Sequence, residues 1–247
     1  LARDFNLLSA TLQKNREARK QWVADIAHEL RTTLSILKGE IHAIEDGVRE
    51  FNAQTRASLQ NEISRLTELV RDLNDLSASD EGGLSYRRDR IDLNAVLEDA
   101  IDNCRARIES AGLDLTTRLS DRPIAVIADA TRIEQLITNL IENSLRYTDA
   151  PGAIENRTSI GQQSIRLEFS DSAPGVPETA LPRLFERLYR VDPSRSRETG
   201  GSGLGLSICK AIVDAHGGEI EAAQSELGGL LVRVELPLAD TIGYAHD

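Results

Sequence analysis

The 247-residue sequence predicts an α+β protein with an N-terminal helical hairpin and a C-terminal α/β sandwich. Three observations support this fold class. Helical periodicity fills the first third of the chain, a polar segment with two glycines interrupts it at 77–90, and strand-like runs interleaved with helices follow. Strand-like runs interleaved with helices are typical of one sheet with helices over one face.

Two amphipathic stripes predict the hairpin. Apolar residues step by threes and fours along 23–48 and again along 59–73. The turn-forming residues of 46–52 lie between the stripes, as expected for two antiparallel helices joined by a short connection. Two helices bury only a thin core, so we expect two copies of the chain to form a four-helix bundle.

Changes in composition predict the boundaries. Residues 1–18 have helical spacing of their own and are expected to continue into the hairpin, assigned to 19–79. The segment SASDEGGLSYRRDR, residues 77–90, breaks the pattern, and we place the linker at 80–90. The mixed domain is assigned to 91–240, with a tail at 241–247.

Alternation and helical spacing predict the elements of the mixed domain. Helices are expected over 94–111, 131–146 and 204–216, and strands over 113–119, 124–127, 165–169, 218–222 and 230–236.

Composition excludes several classes of protein. The formal net charge of −11 argues against a nucleic-acid binder or a ligand of acidic membranes, both of which need a basic face. Cys104 and Cys209 lie in helical patterns without a CxxC partner, so we expect reduced, buried thiols. No apolar run approaches the ~20 residues of a membrane span. The absence of methionine suggests that the sequence begins within a longer protein.

Polar residues on the helix 131–146 suggest a ligand site. Asn139 and Asn143 are four residues apart and share one face, with Arg146 one step further. Amide oxygens suit a hard cation such as Mg²⁺, and arginine suits phosphate. Two solvated or capping asparagines would produce the same pattern, so the pair alone leaves both readings open.

Asp171 and a glycine cluster add to this suggestion. A carboxylate at the end of a strand can accept a hydrogen bond from an amino group such as that of adenine, although aspartate before Pro-Gly is also common in turns. The glycines of 200–206 precede a predicted helix, an arrangement that binds phosphate. Gly205 is followed by Leu-Ser-Ile-Cys, so this is not a Walker loop. The polar run 192–200 before it is typical of a mobile lid.

The segment DIAHELRTTL, residues 25–34, contains His28, which is followed directly by the carboxylate of Glu29. The other histidines are His42, which has no adjacent acid, His216, expected to cap a helix end, and His246 in the tail. A lone histidine on a helix is usually a surface residue. A nucleotide-type site further along the chain favours His28 as a phosphate acceptor.

Five segments in this order resemble those of the sensor histidine kinases of two-component signalling. They are a phosphoacceptor box at 28–32, an N box at 139–143, a first glycine box at 171–175, an F box at 184–190 and a second glycine box at 201–205. The resemblance covers nearly the whole chain. It implies a dimeric phosphotransfer hairpin and an ATP-binding domain of the Bergerat, or GHKL, type. Residues 1–18 resemble the last helix of a HAMP linker, which implies the cytoplasmic portion of a bacterial inner-membrane protein.

The resemblance also implies roles for individual residues. His28 would attack the γ-phosphate of ATP, Glu29 would accept its proton, and Thr32 would orient water when phosphate is removed from a response regulator. Asn143 would hold Mg²⁺ with Asn139 beside it. The remaining nucleotide contacts are implied for Arg146, Tyr147, Asp171, Gly175, Gly201, Gly203, Leu204 and Gly205. The partner would be a cognate response regulator that receives the phosphoryl group on an aspartate.

Two residues depart from the family pattern, and two other functions stay open. Ala173 replaces a frequent glycine, and Thr33 replaces a usual proline. A proline in mid-helix removes a backbone hydrogen bond and bends the helix, so Thr33 should straighten it and slow autophosphorylation. The first alternative is a GHKL ATPase, which would carry an acid where Asn139 stands. The second is a kinase-impaired dimeric scaffold or phosphatase.

Overall fold

A computed structural model describes residues 2–80, 86–191 and 202–239. The chain forms two compact units, Leu1–Arg71 and Asp72–Asp247.

Two long helices follow the apolar stripes, and the first unit contains all of the first helix and the second helix as far as Arg71. Helix α1 spans Ala2–Glu45 and α2 spans Ala53–Asp80, with the turn between them where it was expected. Ile26 on α1 and Leu69 on α2 are buried. The helical hairpin of the predicted fold class is confirmed.

Side-chain hydrogen bonds stabilise the turn of the hairpin. Asn52 caps α2, because its Oδ1 accepts a bond from the backbone N–H of Thr55 at 2.9 Å. Glu40 Oε1 accepts bonds from both Arg49 and Ser58, each at 2.9 Å. One carboxylate of α1 therefore holds the turn and the first part of α2 together.

The second unit is the predicted α/β sandwich. A five-stranded sheet has the order β2-β4-β5-β7-β6, in which β2 and β4 are parallel and the other pairs are antiparallel. Strands β1 and β3 form a separate antiparallel pair. The elements are β1 (Asp89–Asp92), α3 (Leu93–Ser110), β2 (Leu113–Arg118), β3 (Ala125–Ala128), α4 (Ala130–Tyr147), β4 (Gly152–Ile160), β5 (Ser164–Ser172), a short 3₁₀ helix (Leu181–Arg183), α5 (Gly205–Ala215), β6 (Glu219–Gln224) and β7 (Gly228–Pro237).

The core lies between the sheet and the three helices α3, α4 and α5. Alternate residues of β4, β5 and β7 are buried, and so are the apolar faces of the helices. The opposite residues of the sheet form cross-strand ion pairs, among them Glu155 with Arg118 and Arg233 with Glu168. One face of the sheet is thus packed and the other is polar. Cys104 and Cys209 are both free and buried, as predicted.

Strands β1 and β4 were missed in the sequence. The sequence of β1 is DRID, and half of it lies in the segment assigned to the linker. In β4, GAIENRTSI, the buried position after Ile154 is Asn156, so the alternation of apolar residues fails. Their pairing partners stabilise both strands, and these partners are distant in the chain.

Candidate functional site

Helix α4 is the centre of the candidate site. It begins after Asp129, whose side chain accepts hydrogen bonds from the backbone N–H groups of the first turn at 3.1 and 3.3 Å. Its apolar face is buried in the core. The predicted residues Asn139, Asn143, Arg146 and Tyr147 are half-buried. Their spacing of four, seven and eight residues places them along one side of the helix.

The first glycine box brings Asp171 against this helix. The carboxyl group is buried, with 5% of the residue exposed. Its Oδ1 accepts the backbone N–H of Leu230 at 2.7 Å, and its Oδ2 accepts the hydroxyl of Ser144 at 2.9 Å. Burial raises the pKa of Asp171 to about 6, although both hydrogen bonds act to lower it. Ser144 was not predicted, but a serine on the buried face of an amphipathic helix was the available signal.

Backbone irregularity directs Asp171 inward. The pairing of β5 with β7 changes register between Ser170 and Ser172, and Asp171 occupies this bulge. A side chain at Gly229 would place its Cβ 2.3 Å from Asp171 Oδ1, so only glycine fits there. Gly175 lies against the β6–β7 turn, where a Cβ would come 3.0 Å from the carbonyl oxygen of Gly228.

The second glycine box forms the entry to α5. Gly203 has φ +71°, a conformation that favours glycine, and its carbonyl accepts the N–H of Leu188 at 2.9 Å. Leu204 is buried as the N-cap residue of α5, and Gly205 is the first residue of the helix. The N-terminus of α5, with its partial positive charge, therefore follows the glycines directly. Gly201 and the predicted lid, 192–200, lie outside the described residues.

Ser202 bonds this entry to Asp72, the first residue of the second unit. Its hydroxyl donates to Asp72 Oδ2 at 2.9 Å and accepts the backbone N–H of Leu204 at 3.2 Å. Asp72 belongs to the same compact unit as the glycine box.

Strand β5 and helix α5 of the second unit therefore both contact α4. Asp171 of β5 bonds to Ser144, and the thiol of Cys209 on α5 lies 3.8 Å from the Leu136 carbonyl of α4. Burial raises the pKa of Cys209, and the side chain of Asn139 acts on the same thiol. The structure thus brings the N box and both glycine boxes together, as a single binding site requires.

The donor groups present fit Mg²⁺. No group of three or more His, Cys, Asp or Glu side chains within residues 2–80, 86–191 and 202–239 forms a self-sufficient metal cage. Magnesium in nucleotide sites usually takes one or two protein oxygens, with water and phosphate completing the shell. Asn143 is half-buried and carries an amide oxygen, a donor of the type that would suit Mg²⁺.

The phosphoacceptor segment lies in the first unit. His28 is exposed on α1, and Thr32 Oγ1 donates to the carbonyl oxygen of His28 at 2.9 Å. The side chain of Glu29 is outside the described residues. Thr33 is buried, and α1 continues through it, which agrees with the helical hydrogen bonding expected for threonine in place of proline.

His216 is more deeply involved in the fold than a helix cap. Its ring is buried at the end of α5, where Nε2 accepts the backbone N–H of Asp129 at 3.1 Å and Nδ1 lies 2.7 Å from the Ile212 carbonyl. Since Nε2 accepts, Nδ1 carries the proton. The ring of Tyr86 packs edge-on against it at 5.3 Å between centroids. Burial lowers the pKa of His216.

Comparison with known proteins identifies the family. Residues 18–82 match the His Kinase A (phospho-acceptor) domain, and residues 128–240 match the histidine kinase-, DNA gyrase B-, and HSP90-like ATPase family. The signal transduction histidine-protein kinase BaeS of Escherichia coli K12 is 52% identical over 238 residues, which is 96% of this chain. The chain belongs to the sensor histidine kinases.

Other kinases of this family have similar structures. The Acinetobacter baumannii histidine kinase AdeS superposes with a TM-score of 0.73 at 28% identity, covering 86% of this chain and 98% of that one. Histidine kinase ThkA, solved in complex with the response regulator protein TrrA, has the same fold, with a TM-score of 0.73 at 22% identity over 93% of this chain and 66% of that one. This sensor kinase chain spans about half of BaeS, 51% of its length. Within the described ranges, every helix is too short or too polar to cross a bilayer.

Proposed function

We propose that this chain is the kinase core of a sensor histidine kinase, which phosphorylates His28 with ATP and passes the phosphoryl group to an aspartate of a response regulator. The observation that carries the proposal is the convergence of Asp171, the α4 asparagines and the α5 N-terminus in one unit, in a chain that also presents an exposed histidine on a long helix. Nucleotide recognition and an acceptor are the two parts that a protein-histidine kinase needs.

The second unit binds the nucleotide in this proposal. Asp171 accepts the amino group of adenine, and the N–H groups at the start of α5 face the phosphates together with Arg146. Tyr147 packs beside the nucleotide. Backbone that approaches it closely comes from Gly175, Gly203, Leu204 and Gly205. The family resemblance assigns Gly201 to the same site. Asn143 holds Mg²⁺, which neutralises phosphate charge when bound, and Asn139 lies one turn before it.

The first unit accepts the phosphoryl group. A ring nitrogen of His28 attacks the γ-phosphorus, so that a nitrogen–phosphorus bond forms and the bond to the leaving oxygen of ADP breaks. The proton on the other ring nitrogen passes to Glu29, which acts as general base. The phosphoryl group then passes to a carboxylate oxygen of an aspartate in the response regulator, so that the nitrogen–phosphorus bond breaks and an oxygen–phosphorus bond forms. In the phosphatase reaction, Thr32 orients a water molecule that hydrolyses the phosphoryl group from the regulator.

Labelling with γ-³²P-ATP and Mg²⁺ tests the proposal. We expect label on the protein that is lost in acid, as phosphohistidine is, and that is absent from the His28→Ala variant. His42→Ala is the matched control, because His42 is also exposed on α1 and should keep the label. Free phosphate without labelled protein would favour a GHKL ATPase instead. The absence of both labelled protein and free phosphate would favour a kinase-impaired scaffold, the function to which Thr33 points.

Partners and location are part of the same proposal. The kinase acts as a homodimer, and its substrate is a BaeR-like response regulator, since ThkA was solved in complex with a response regulator and BaeS is 52% identical to this chain. The functional protein is anchored in a bacterial inner membrane, and residues 1–18 form the end of a HAMP-like linker on the cytoplasmic side. Incubation of the labelled chain with a regulator should move the label to an aspartate of that regulator.

A further inference from the structure

A hydroxyl group lies between the helix of the N box and the aspartate of the first glycine box. Ser144 follows Asn143 on α4, and only 4% of this residue is exposed. Its Oγ is 2.9 Å from Asp171 Oδ2, and the bond joins residues that are 27 positions apart. A carboxylate oxygen accepts but cannot donate, so the hydroxyl proton points at Asp171.

Two hydrogen bonds and the absence of a side chain at Gly229 fix the position of the Asp171 carboxylate. Ser144 holds Oδ2, the Leu230 N–H holds Oδ1 at 2.7 Å, and the bare backbone of Gly229 makes room for Oδ1. A carboxylate has about four acceptor positions on its two oxygens, and these bonds use two of them. No other hydrogen bond from a described residue occupies the remaining positions.

We propose that Ser144 is a positioning and specificity-determining residue for base recognition, because its donated hydroxyl holds Asp171 as an oriented, ionised acceptor for the amino group of adenine. The inference rests on the proposed ATP site. An ionised carboxylate accepts from the amino group of adenine but repels the carbonyl oxygen that guanine carries at the same place. A protonated carboxyl group would instead donate to that oxygen, so the protonation state of Asp171 selects the base.

The environment of Asp171 makes its protonation sensitive to Ser144. Burial raises the pKa of this carboxyl group to about 6, against the opposing effect of the two hydrogen bonds. Among the described residues, no ionisable side chain contributes to that shift, from α4, from β7 or from β5 itself. Loss of the Ser144 hydroxyl removes one stabilising bond from the charged form, so the carboxyl group becomes protonated at higher pH.

Calorimetric titration of the chain with Mg-ATP and with Mg-GTP, from pH 5 to pH 8.5, tests the proposal. We expect the affinity of the parent for ATP to decrease as the pH is lowered, with a midpoint near pH 6. In Ser144→Ala the midpoint should rise by about one pH unit, and the preference for ATP over GTP at pH 7 should drop by on the order of fivefold to tenfold. Protonation of the nucleotide phosphates is common to all variants, so differences between variants report the protein.

Control variants separate positioning from a loss of packing. Ser207→Ala removes another buried hydroxyl, which donates to the Leu204 carbonyl, and should leave the midpoint unchanged. Ser144→Cys, which is nearly isosteric and a weaker donor, should raise the midpoint by a smaller amount and serves if the alanine variant does not fold. In an Asp171→Asn background, Ser144→Ala should have no further effect on the pH dependence of the free energy of unfolding.

Two results would overturn the proposal: a midpoint and ATP preference in Ser144→Ala and Ser144→Cys equal to those of the parent, or an equal shift in Ser207→Ala. Carboxyl ¹³C NMR of Asp171 without nucleotide keeps this test separate from the proposed function. If the parent binds no nucleotide at any pH, the ATP site is wrong. An Asp171 titration that is the same with and without the Ser144 hydroxyl refutes the inference alone.

Discussion

The imidazole of His216 accepts a hydrogen bond from the backbone N–H of Asp129 at 3.1 Å, and it thereby joins the end of α5 to the start of α4. Asp129 is the N-cap residue of α4, and its Oδ2 also accepts the N–H of Arg87 at 3.1 Å. The guanidinium of Arg88 donates to the Ala215 carbonyl beside the same histidine. A buried neutral histidine is therefore part of the support of the helix that carries the N box.

Protonation of His216 should destabilise the second unit. Burial lowers the pKa of this histidine in the folded protein, with the Arg88 charge acting in the same direction and Asp129 in the opposite one. The unfolded chain therefore binds the proton more readily, and the stability from neutral His216 is present above pH 6.5 and lost as the pH falls through the folded pKa. Urea denaturation of the parent and of His216→Gln at pH 7.5 and pH 5.5 measures the loss.

Glutamine does not titrate, and its amide oxygen can take the place of Nε2 as the acceptor of the Asp129 N–H. The free energy of unfolding of His216→Gln should thus fall less than that of the parent between the two pH values. His42→Ala, at an exposed position, should follow the parent. A parent and a glutamine variant with identical pH dependence would refute this prediction.

Replacement of Asp171 by asparagine should stabilise the empty protein while it abolishes nucleotide binding. The raised pKa, from 3.8 to about 6, means that the charged carboxylate costs folding free energy at neutral pH. Stability from this group is present below pH 3.8 and lost as the pH rises through about 6. Asp171→Asn should therefore gain up to roughly 2–3 kcal/mol at pH 7.5, measured by urea denaturation.

The gain should shrink at pH 5, where the parent carboxyl group is largely protonated. Asp114→Asn, which removes an exposed carboxylate from β2, is the matched control and should change stability little. A loss of stability in Asp171→Asn at pH 7.5 would contradict the prediction.

Two glycines of the second glycine box should respond differently to alanine. Gly203 has φ +71°, and a Cβ would lie 3.1 Å from Leu188 Cα, so Gly203→Ala should lower the free energy of unfolding by about 1–2 kcal/mol. A Cβ at Gly205 meets nothing within 4 Å, so Gly205→Ala should fold as stably as the parent.

If the α5 N-terminus binds phosphate at close range, Gly205→Ala should nevertheless weaken Mg-ATP binding, measured by calorimetry. Equal ATP affinity in Gly205→Ala and the parent would place the phosphates elsewhere. Gly39→Ala, on the exposed surface of α1, controls for the general effect of alanine on a helix.

Thr33→Pro should raise the rate of His28 labelling and lower stability. Helix α1 continues through Thr33, and proline at that position removes a backbone hydrogen bond and bends the helix at a cost of about 3 kcal/mol. Thr33→Ala removes the hydroxyl but keeps the backbone N–H, so its labelling rate should equal that of the parent. An unchanged rate in Thr33→Pro would mean that the bend has no part in autophosphorylation.

Charges in the exposed apolar stripe of α1 should prevent dimerisation. Leu34 and Ile41, one heptad apart, are 52% and 42% exposed in the single chain, although both are apolar. We expect Leu34→Glu with Ile41→Glu to convert a dimer into a monomer in sedimentation experiments. Ser35→Glu with His42→Glu, the neighbouring positions, is the matched control. A parent chain that sediments as a monomer would remove the basis for the four-helix bundle.

Local sequence patterns were sufficient for the elements whose apolar spacing is regular. The two helices of the hairpin, α3, α4 and α5 follow from the period of their apolar residues, and the glycines of 200–206 indicated the entry to α5 without any tertiary information. Strands β1 and β4 could not be found in this way. Charged and amide residues interrupt their alternation, and their hydrogen bonds are made with strands elsewhere in the chain.

The amino-acid sequence by itself determined which chemical groups are candidates for function: the histidine of α1 and, in the second unit, the asparagines of α4, Asp171 and the glycines. Only the tertiary structure decided what supports them. Ser144 bonds to a residue 27 positions away, and His216 bonds to one 87 positions away. A helical period constrains neighbours within a few residues, whereas such bonds exist only after the sheet and the helices have packed and excluded water from the groups between them.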